Sequence, residues 1–228
     1  MTKDRLISAM SRFCPPIIGE CPKCGEPIFK GWCCFGCGLD ASDKKVKNIK
    51  WEELKMNNNL KTKKVIFCDL DGTLIETISG ETFPKGIWDM RIKFDVLDAI
   101  KKLNPEYILI VSNQGGIESG FVDAQNFRAK SEYIARAIWE YCDCKCYAMY
   151  CETNDKSDPY RKPNVGMLND LTERYVGDDF DYIKQISLMI GDASGKAGQF
   201  SDSDKKTAEN FGIDYMDVND FVNTNLED

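Results

Sequence analysis

Two aspartates separated by one residue begin the part of this sequence that can do chemistry. Asp69 and Asp71 stand in Asp-Leu-Asp-Gly-Thr, directly after an apolar run at 65–68. A carboxylate can attack phosphorus as a covalent nucleophile, and a second one nearby can act as general acid and base. Gly72 permits the sharp turn that would bring both carboxylates to one crevice. Taken alone, the pair also fits a solvated loop with a hydrogen-bonded turn at Asp71.

Three further positions favour the catalytic interpretation. Ser112 ends a second apolar run, where a hydroxyl and backbone N–H groups can hold phosphate oxygens. Lys162, in Arg-Lys-Pro, can neutralise an oxyanion and keep a nearby carboxylate ionised. Asp192, in Gly-Asp, can complete an all-oxygen Mg²⁺ site with Asp69 and a backbone carbonyl. Each feature is common alone, but all four in this order predict a site that transfers phosphoryl groups.

These side chains need elements to bring them together, and from Lys63 onward the sequence alternates between strand and helix patterns. Apolar, β-branched runs predict strands at 63–70, 106–112, 145–150 and 185–190. Helical spacing of apolar residues predicts helices at 95–103, 123–141 and 205–211. The alternation predicts an α/β domain with a mainly parallel sheet, whose ligands bind at the carboxyl ends of the strands. Asp69, Ser112 and Asp192 are predicted at those ends.

The four motifs resemble those of the haloacid dehalogenase superfamily. In detail, the stretches at 69–84, 112–120, 160–167 and 191–206 resemble the phosphatase domain of polynucleotide kinase 3′-phosphatases. The similarity runs from about Lys63 to Phe221. It implies a Rossmann-like haloacid dehalogenase fold.

The short intervals between the motifs are filled by core elements, so we expect no lid over the site. An active-site crevice without a lid suits the end of a polymer better than a small metabolite that must be enclosed.

The resemblance also implies a role for each matching residue. Asp69 would form a phosphoaspartate, and Asp71 would protonate the leaving 3′-oxygen, activate water and bind Mg²⁺ through its carbonyl. Ser112 and Lys162 would hold the phosphoryl group, and Asp192 would complete the metal site, with Asp204 in a supporting role. The expected substrate contacts are Asn113, Gln114, Gly115 and Arg161.

The segment at 191–197 superficially resembles the phosphate-binding loop of a kinase. Only three residues separate its glycines where four are needed, and Ala197 stands where the loop requires a hydroxyl. The segment fits the phosphatase metal motif better, and we therefore predict no 5′-kinase activity.

A second motif lies near the N-terminus and consists of two Cys-x-x-Cys pairs. Cys21, Cys24, Cys34 and Cys37 match tetrahedral zinc, although Cys33 could replace Cys34 as a ligand. With 11 cysteines and no histidine in the chain, a zinc site must use thiolates or carboxylates. We predict a zinc ribbon at 1–42, a basic linker at 43–62 and a phosphatase domain at 63–228. The alternative for the ribbon cysteines is a set of buried thiols without metal. For Cys142, Cys144, Cys146 and Cys151, we predict buried thiols rather than a second metal site.

The charge and the hydropathy of the sequence indicate where in the cell the protein resides and what it binds. The net charge is −7, but the first 64 residues carry an excess of lysine and arginine. This fits an anionic partner, although ordinary solvated lysines would give the same pattern. The first ten residues lack the apolar stretch of a signal peptide, and the apolar runs are too short to cross a bilayer. We expect an intracellular protein, nuclear or cytoplasmic or encoded by a virus.

The leading hypothesis is a Mg²⁺-dependent DNA 3′-phosphatase that cleans 3′-phosphate ends during repair. Its ribbon would contact nucleic acid or other repair proteins. One alternative is a small-molecule phosphomonoesterase of the histidinol-phosphate phosphatase type. Another is a catalytically idle adaptor that binds nucleic acid or protein through the ribbon.

Overall fold

The computed structural model describes residues 59–81, 84, 89–199 and 201–224, together with the backbone of two short strands nearer the N-terminus. The chain divides into two compact units, Met1–Met56 and Asn57–Asp228. In the first unit, β1 (Ile17–Glu20) pairs antiparallel with β2 (Pro27–Phe29). The predicted zinc ligands Cys21, Cys24, Cys34 and Cys37, and the neighbouring Cys33, lie outside the described residues. The zinc ribbon therefore stays a prediction.

A five-stranded parallel sheet forms the centre of the second unit. Its strands are β3 (Val65–Cys68), β6 (Tyr107–Asn113), β7 (Lys145–Cys151), β8 (Ser187–Gly191) and β9 (Asp214–Asp217). They lie in the order β7-β6-β3-β8-β9, and every neighbouring pair is parallel. This arrangement confirms the predicted α/β class with a mainly parallel sheet.

Helices cover both faces of this sheet. They are α1 (Phe94–Lys102), α2 (Gly115–Glu118), α3 (Ala124–Cys142), α4 (Gly166–Leu171), α5 (Phe180–Gln185), α6 (Ser203–Phe211) and α7 (Val218–Val222), with a π-helical turn at Thr172–Val176 after α4. Asp123 caps α3 by accepting a hydrogen bond from the Asn126 amide at 2.8 Å. Gly212 ends α6 with a φ of 84°, a left-handed conformation that glycine adopts at little cost.

The core lies on both sides of β3 because successive side chains of a strand point to opposite faces. Ile66 and Cys68 belong to one buried cluster, and Val65 and Phe67 belong to the other. The Phe67 ring meets Phe211 of α6 edge to face, with centroids 5.7 Å apart. Burial on both faces explains why β3 is continuously apolar rather than alternating.

The sequence patterns located the main strands and long helices to within a few residues, but they missed the shorter elements. An antiparallel pair, β4 (Ile75–Thr77) and β5 (Met90–Ile92), occupies part of the interval between Asp71 and Ser112. Helices α2, α4, α5 and α7 and strand β9 were also not predicted. These elements are short or lack strong periodicity, so local pattern gives little signal for them.

The cysteines of the second unit are buried rather than exposed. Cys68, Cys142, Cys144, Cys146 and Cys151 are free thiols. Among the described residues, no group of three cysteines brings its sulfurs close enough together to share a metal ion. The same residues contain no helix long and apolar enough to cross a membrane.

We expect Phe67→Ala to destabilise the second unit by about 3–5 kcal/mol, because it leaves a cavity between β3 and α6. Urea denaturation followed by circular dichroism measures the change. Phe121→Ala serves as the control, since Phe121 is 87% exposed. Equal effects of the two substitutions would contradict the described core.

Candidate active site

The carboxyl ends of three adjacent strands define the candidate site. Strand β3 lies between β6 and β8, and Cys68 pairs in register with Ile110 on one side and Ile190 on the other. Asp69 therefore leaves the sheet beside the end of β8, where its amide donates to the Ile190 carbonyl at 3.1 Å. Parallel pairing thus brings Asp69 next to the strands that carry Ser112 and precede Asp192.

Lys162 reaches the centre of this arrangement from a loop. Its Nζ donates to Asp69 Oδ1 at 2.5 Å, to Asp204 Oδ1 at 2.8 Å and to the Val111 carbonyl at 2.9 Å. The side chain is only 2% exposed. Three acceptors satisfy the three N–H donors of the ammonium, which is what makes its burial tolerable.

Asn113 holds the backbone of Lys162 in place. Its Nδ2 donates to the Lys162 carbonyl at 3.0 Å, and its Oδ1 accepts from the Lys162 amide at 2.9 Å. The peptide bond between Lys162 and Pro163 is cis. The side-chain amide of Asn113, predicted to contact substrate, thus serves to position the lysine.

Asp71 is held by two side chains, one of which sequence reasoning missed. Gln114 Nε2 donates to Asp71 Oδ2 at 2.6 Å and to Ser112 Oγ at 2.8 Å. Lys130 Nζ lies 3.2 Å from Asp71 Oδ1. Since Ser112 Oγ accepts here, its own hydrogen is free to donate to a phosphate oxygen.

Lys130 belongs to no motif, and its only sequence signal is a lysine on the apolar side of a helix. It is 7% exposed and shares that side of α3 with the buried Phe127, Ile134 and Ile138. A lysine in such a position requires a partner. The partner, Asp71, lies 59 residues away and could not be identified from the sequence.

Three aspartates form an acidic cluster beside Lys162. Asp69, Asp192 and Asp204 each offer a carboxylate oxygen, and these atoms lie within 4.8 Å of one another. Asp204 already accepts at both oxygens, from Lys162 Nζ at 2.8 Å and from the Ala193 amide at 3.1 Å. Asp204 therefore holds the lysine and the turn after β8, and its supporting role in catalysis stays a prediction.

Two glycines make room for this cluster. A Cβ added to Gly72 would lie 2.1 Å from Asp192 Oδ2, and one added to Gly191 would lie 2.3 Å from Asp204 Oδ2. Gly72 also has a φ of 85°, which disfavours other residues. The turns after β3 and β8 thus depend on the absence of a side chain.

The electrostatics of the cluster favour a bound cation. Burial raises the pKa of Asp69 to about 8; the Lys162 ammonium opposes this shift, and the Asp204 and Asp192 carboxylates add to it. Burial and the Asp204 carboxylate raise the pKa of Asp192 to about 6. Burial alone would lower the pKa of Lys162, but the two carboxylates that it contacts raise it above its usual value. One lysine does not balance three carboxylates, and an all-oxygen donor set fits a hard divalent cation such as Mg²⁺.

The remaining predicted substrate contacts lie around the loop that carries Lys162. Arg161 donates to the Thr153 carbonyl within that loop. Gly115 begins α2, and a Cβ there would lie 1.9 Å from Asn154 Oδ1. Arg161 thus bonds the loop to itself, Gly115 leaves room for Asn154 beside α2, and the contact of both residues with substrate stays a prediction.

The fold, together with the family match given in the next paragraph, places the chain among phosphatases with a haloacid dehalogenase-like fold, which are hydrolases of phosphoric monoesters. A solved structure, D,D-heptose 1,7-bisphosphate phosphatase from B. bronchiseptica complexed with magnesium and phosphate, shares the fold with a TM-score of 0.52. The match covers 67% of this chain and 78% of that one, at 22% identity. This match confirms the predicted fold, and the enzyme class is confirmed by the family match that follows.

The family model of the polynucleotide kinase 3 phosphatase matches residues 64–221, and the chain belongs to this family. The bifunctional polynucleotide phosphatase/kinase of Schizosaccharomyces pombe is 37% identical over 159 residues, which cover 68% of this chain but 36% of that protein. A 20.8 kDa protein of Autographa californica nuclear polyhedrosis virus is 28% identical over 183 residues, covering 75% of this chain and 92% of its own length. The chain thus spans about a third of the yeast relative.

We expect Lys130→Met to lower kcat by roughly 10-fold, a part of the 10²- to 10⁴-fold that a general acid–base residue contributes, because Asp71 loses one of its two partners. KM should change little, and Lys130→Arg should restore part of kcat. Steady-state hydrolysis of a small aryl phosphate measures both constants.

Lys101→Met, which removes an exposed lysine of α1, is the control for this test. An unchanged kcat in Lys130→Met, with Asp71 still required, would show that the ion pair does not serve catalysis.

Proposed function

We propose that this chain is a Mg²⁺-dependent polynucleotide 3′-phosphatase that acts on DNA ends through a phosphoaspartate. The observation that carries the proposal is the buried Lys162 bonded to Asp69 at the end of β3, within a chain of this family. Support for a polynucleotide substrate comes from the family match and from the yeast relative's name.

In the first step, Asp69 is the nucleophile. A carboxylate oxygen of Asp69 attacks phosphorus, the bond between phosphorus and the 3′-oxygen breaks, and that oxygen leaves with a proton from Asp71. Lys162 neutralises charge on the transferring group, and the Ser112 hydroxyl donates to one of its oxygens. The products are a 3′-hydroxyl end and an acyl phosphate on Asp69.

In the second step, water replaces the aspartate. Asp71, now ionised, takes a proton from the water, whose oxygen attacks phosphorus. The acyl phosphate bond breaks, which releases inorganic phosphate and restores the Asp69 carboxylate. Gln114 and Lys130 hold Asp71 in one orientation through both steps, since each contacts a different oxygen of its carboxylate.

Asp69 and Asp192, with the carbonyl of Asp71, would hold the Mg²⁺ ion. Bound there, it would neutralise negative charge on the phosphoryl oxygens and keep Asp69 ionised as a nucleophile. Asp204 would remain with Lys162 and the Ala193 amide.

The decisive test uses a DNA oligonucleotide with a 3′-phosphate and Mg²⁺. We expect the wild-type protein to release phosphate, and Asp69→Asn to lower the rate by about 10⁴-fold or more, because an amide cannot act as the nucleophile. Asp95→Asn, an exposed aspartate of α1, should behave as wild type.

Two other outcomes are informative. If the protein hydrolyses a small aryl phosphate but not the oligonucleotide, the proposed phosphatase chemistry stands. The substrate is then a small molecule rather than DNA. Hydrolysis of neither would favour the adaptor hypothesis.

We further propose that Cys21, Cys24, Cys34 and Cys37 hold a structural zinc ion and that the first unit strengthens DNA binding. Replacing Cys24 and Cys37 with serine should remove zinc, as measured by elemental analysis, and weaken binding of a fluorescent oligonucleotide. Hydrolysis of a small aryl phosphate should persist. Loss of both activities would mean instead that the ribbon stabilises the whole chain.

A further inference from the structure

A groove at the open edge of the sheet has no role in the mechanism above. Strand β7 is an outer strand of the five-stranded sheet, and α3 packs beside it. Between them lies a cavity of 630 Å³. Its lining includes Arg128, Arg136, Trp139, Tyr147 and Tyr150.

Aromatic side chains are a main part of the lining of this groove. Trp139 is 44% exposed and lies edge to face with Tyr147, at a centroid distance of 6.0 Å. Tyr147 in turn stacks on Tyr175 at 3.7 Å, with the two rings only 7° from parallel. Because the rings contact one another, they form a fixed platform, and planar groups can stack on such a platform.

The charges in the groove nearly balance. The neighbouring Tyr150 raises the pKa of the Arg128 guanidinium, and Arg136 pairs with Glu140 at 3.1 Å. Glu132 also lines the cavity. Paired arginines and two glutamates disfavour a row of phosphates, whereas uncharged planar groups with hydrogen-bonding edges fit this lining. Nucleobases have both properties.

The groove lies next to the candidate active site, with the buried Phe127 between the two. Tyr150 lies opposite Ser112 in the register of β7 and β6. The Tyr150 ring meets Phe127 at 4.6 Å, and Lys130, which contacts Asp71, lies 5.3 Å over the same Phe127 ring. Neighbouring strands are about 5 Å apart, so the groove begins within one or two nucleotides of a phosphate held at Asp69.

We propose that this groove binds the bases of the single strand that leads to the 3′-phosphate. The inference rests on the proposed function, and it adds that the substrate end is unpaired. Bases must be free of a complementary strand to stack on Trp139 and Tyr147, and base–aromatic stacking accepts any sequence.

The test measures kcat/KM for 3′-phosphorylated DNA of one to eight nucleotides, each divided by kcat/KM for a small aryl phosphate. For the wild type this ratio should rise with length until the groove is filled. Trp139→Ala should lower the ratio about 10-fold for the longer substrates and leave it unchanged for the shortest, because one stacked base is lost. Trp139→Phe, which keeps a ring, should retain most of the gain with length.

Tyr133→Ala is the matched control, since Tyr133 is a 56% exposed aromatic residue of α3 outside the groove lining. If Trp139→Ala keeps the wild-type dependence on length, the groove proposal is overturned while the proposed function stands. If the wild type hydrolyses the aryl phosphate but none of the oligonucleotides, both proposals fall.

Discussion

The buried ion pair between Lys162 and Asp69 is the interaction on which the site depends. An ammonium group on a side chain at 2% exposure requires full pairing, and Asp69, Asp204 and the Val111 carbonyl supply it. The loop that brings Lys162 to this point is fixed in turn by Asn113 at the end of β6. The same contacts that make the charge tolerable therefore align Asp69, the proposed nucleophile, with the ammonium group of Lys162.

Helix α3 connects the chemistry with the proposed binding surface. Lys130, on its buried side, reaches Asp71, whereas Arg128 and Trp139 face the groove beside β7. Phe127 lies between the two regions, in contact with Tyr150 and beneath Lys130. A single capped helix thus holds Asp71, the proposed general acid and base, on one side and offers an aromatic platform on the other.

The sequence predicted the parts of the site that lie at strand ends, since an apolar run followed by a carboxylate or a hydroxyl is a local signal. Asp69, Ser112 and Asp192 were located in this way, and Lys162 by its motif. Lys130 was not predicted as a site residue, because its partner is distant in the chain and no local pattern marks a paired lysine. Gln114 was recognised as part of the site, but its contacts with Asp71 and Ser112 depend on the three-dimensional fold.

Gly72 and Gly191 limit the substitutions that the site can accept. The space that a methyl group would occupy at either position is already filled by a carboxylate of the acidic cluster. A larger residue at either position would therefore have to displace that carboxylate, whereas Phe121, at 87% exposure, is under no such packing constraint. Tolerance to substitution around this centre therefore depends on the free volume beside the backbone as well as on the chemistry of the side chains.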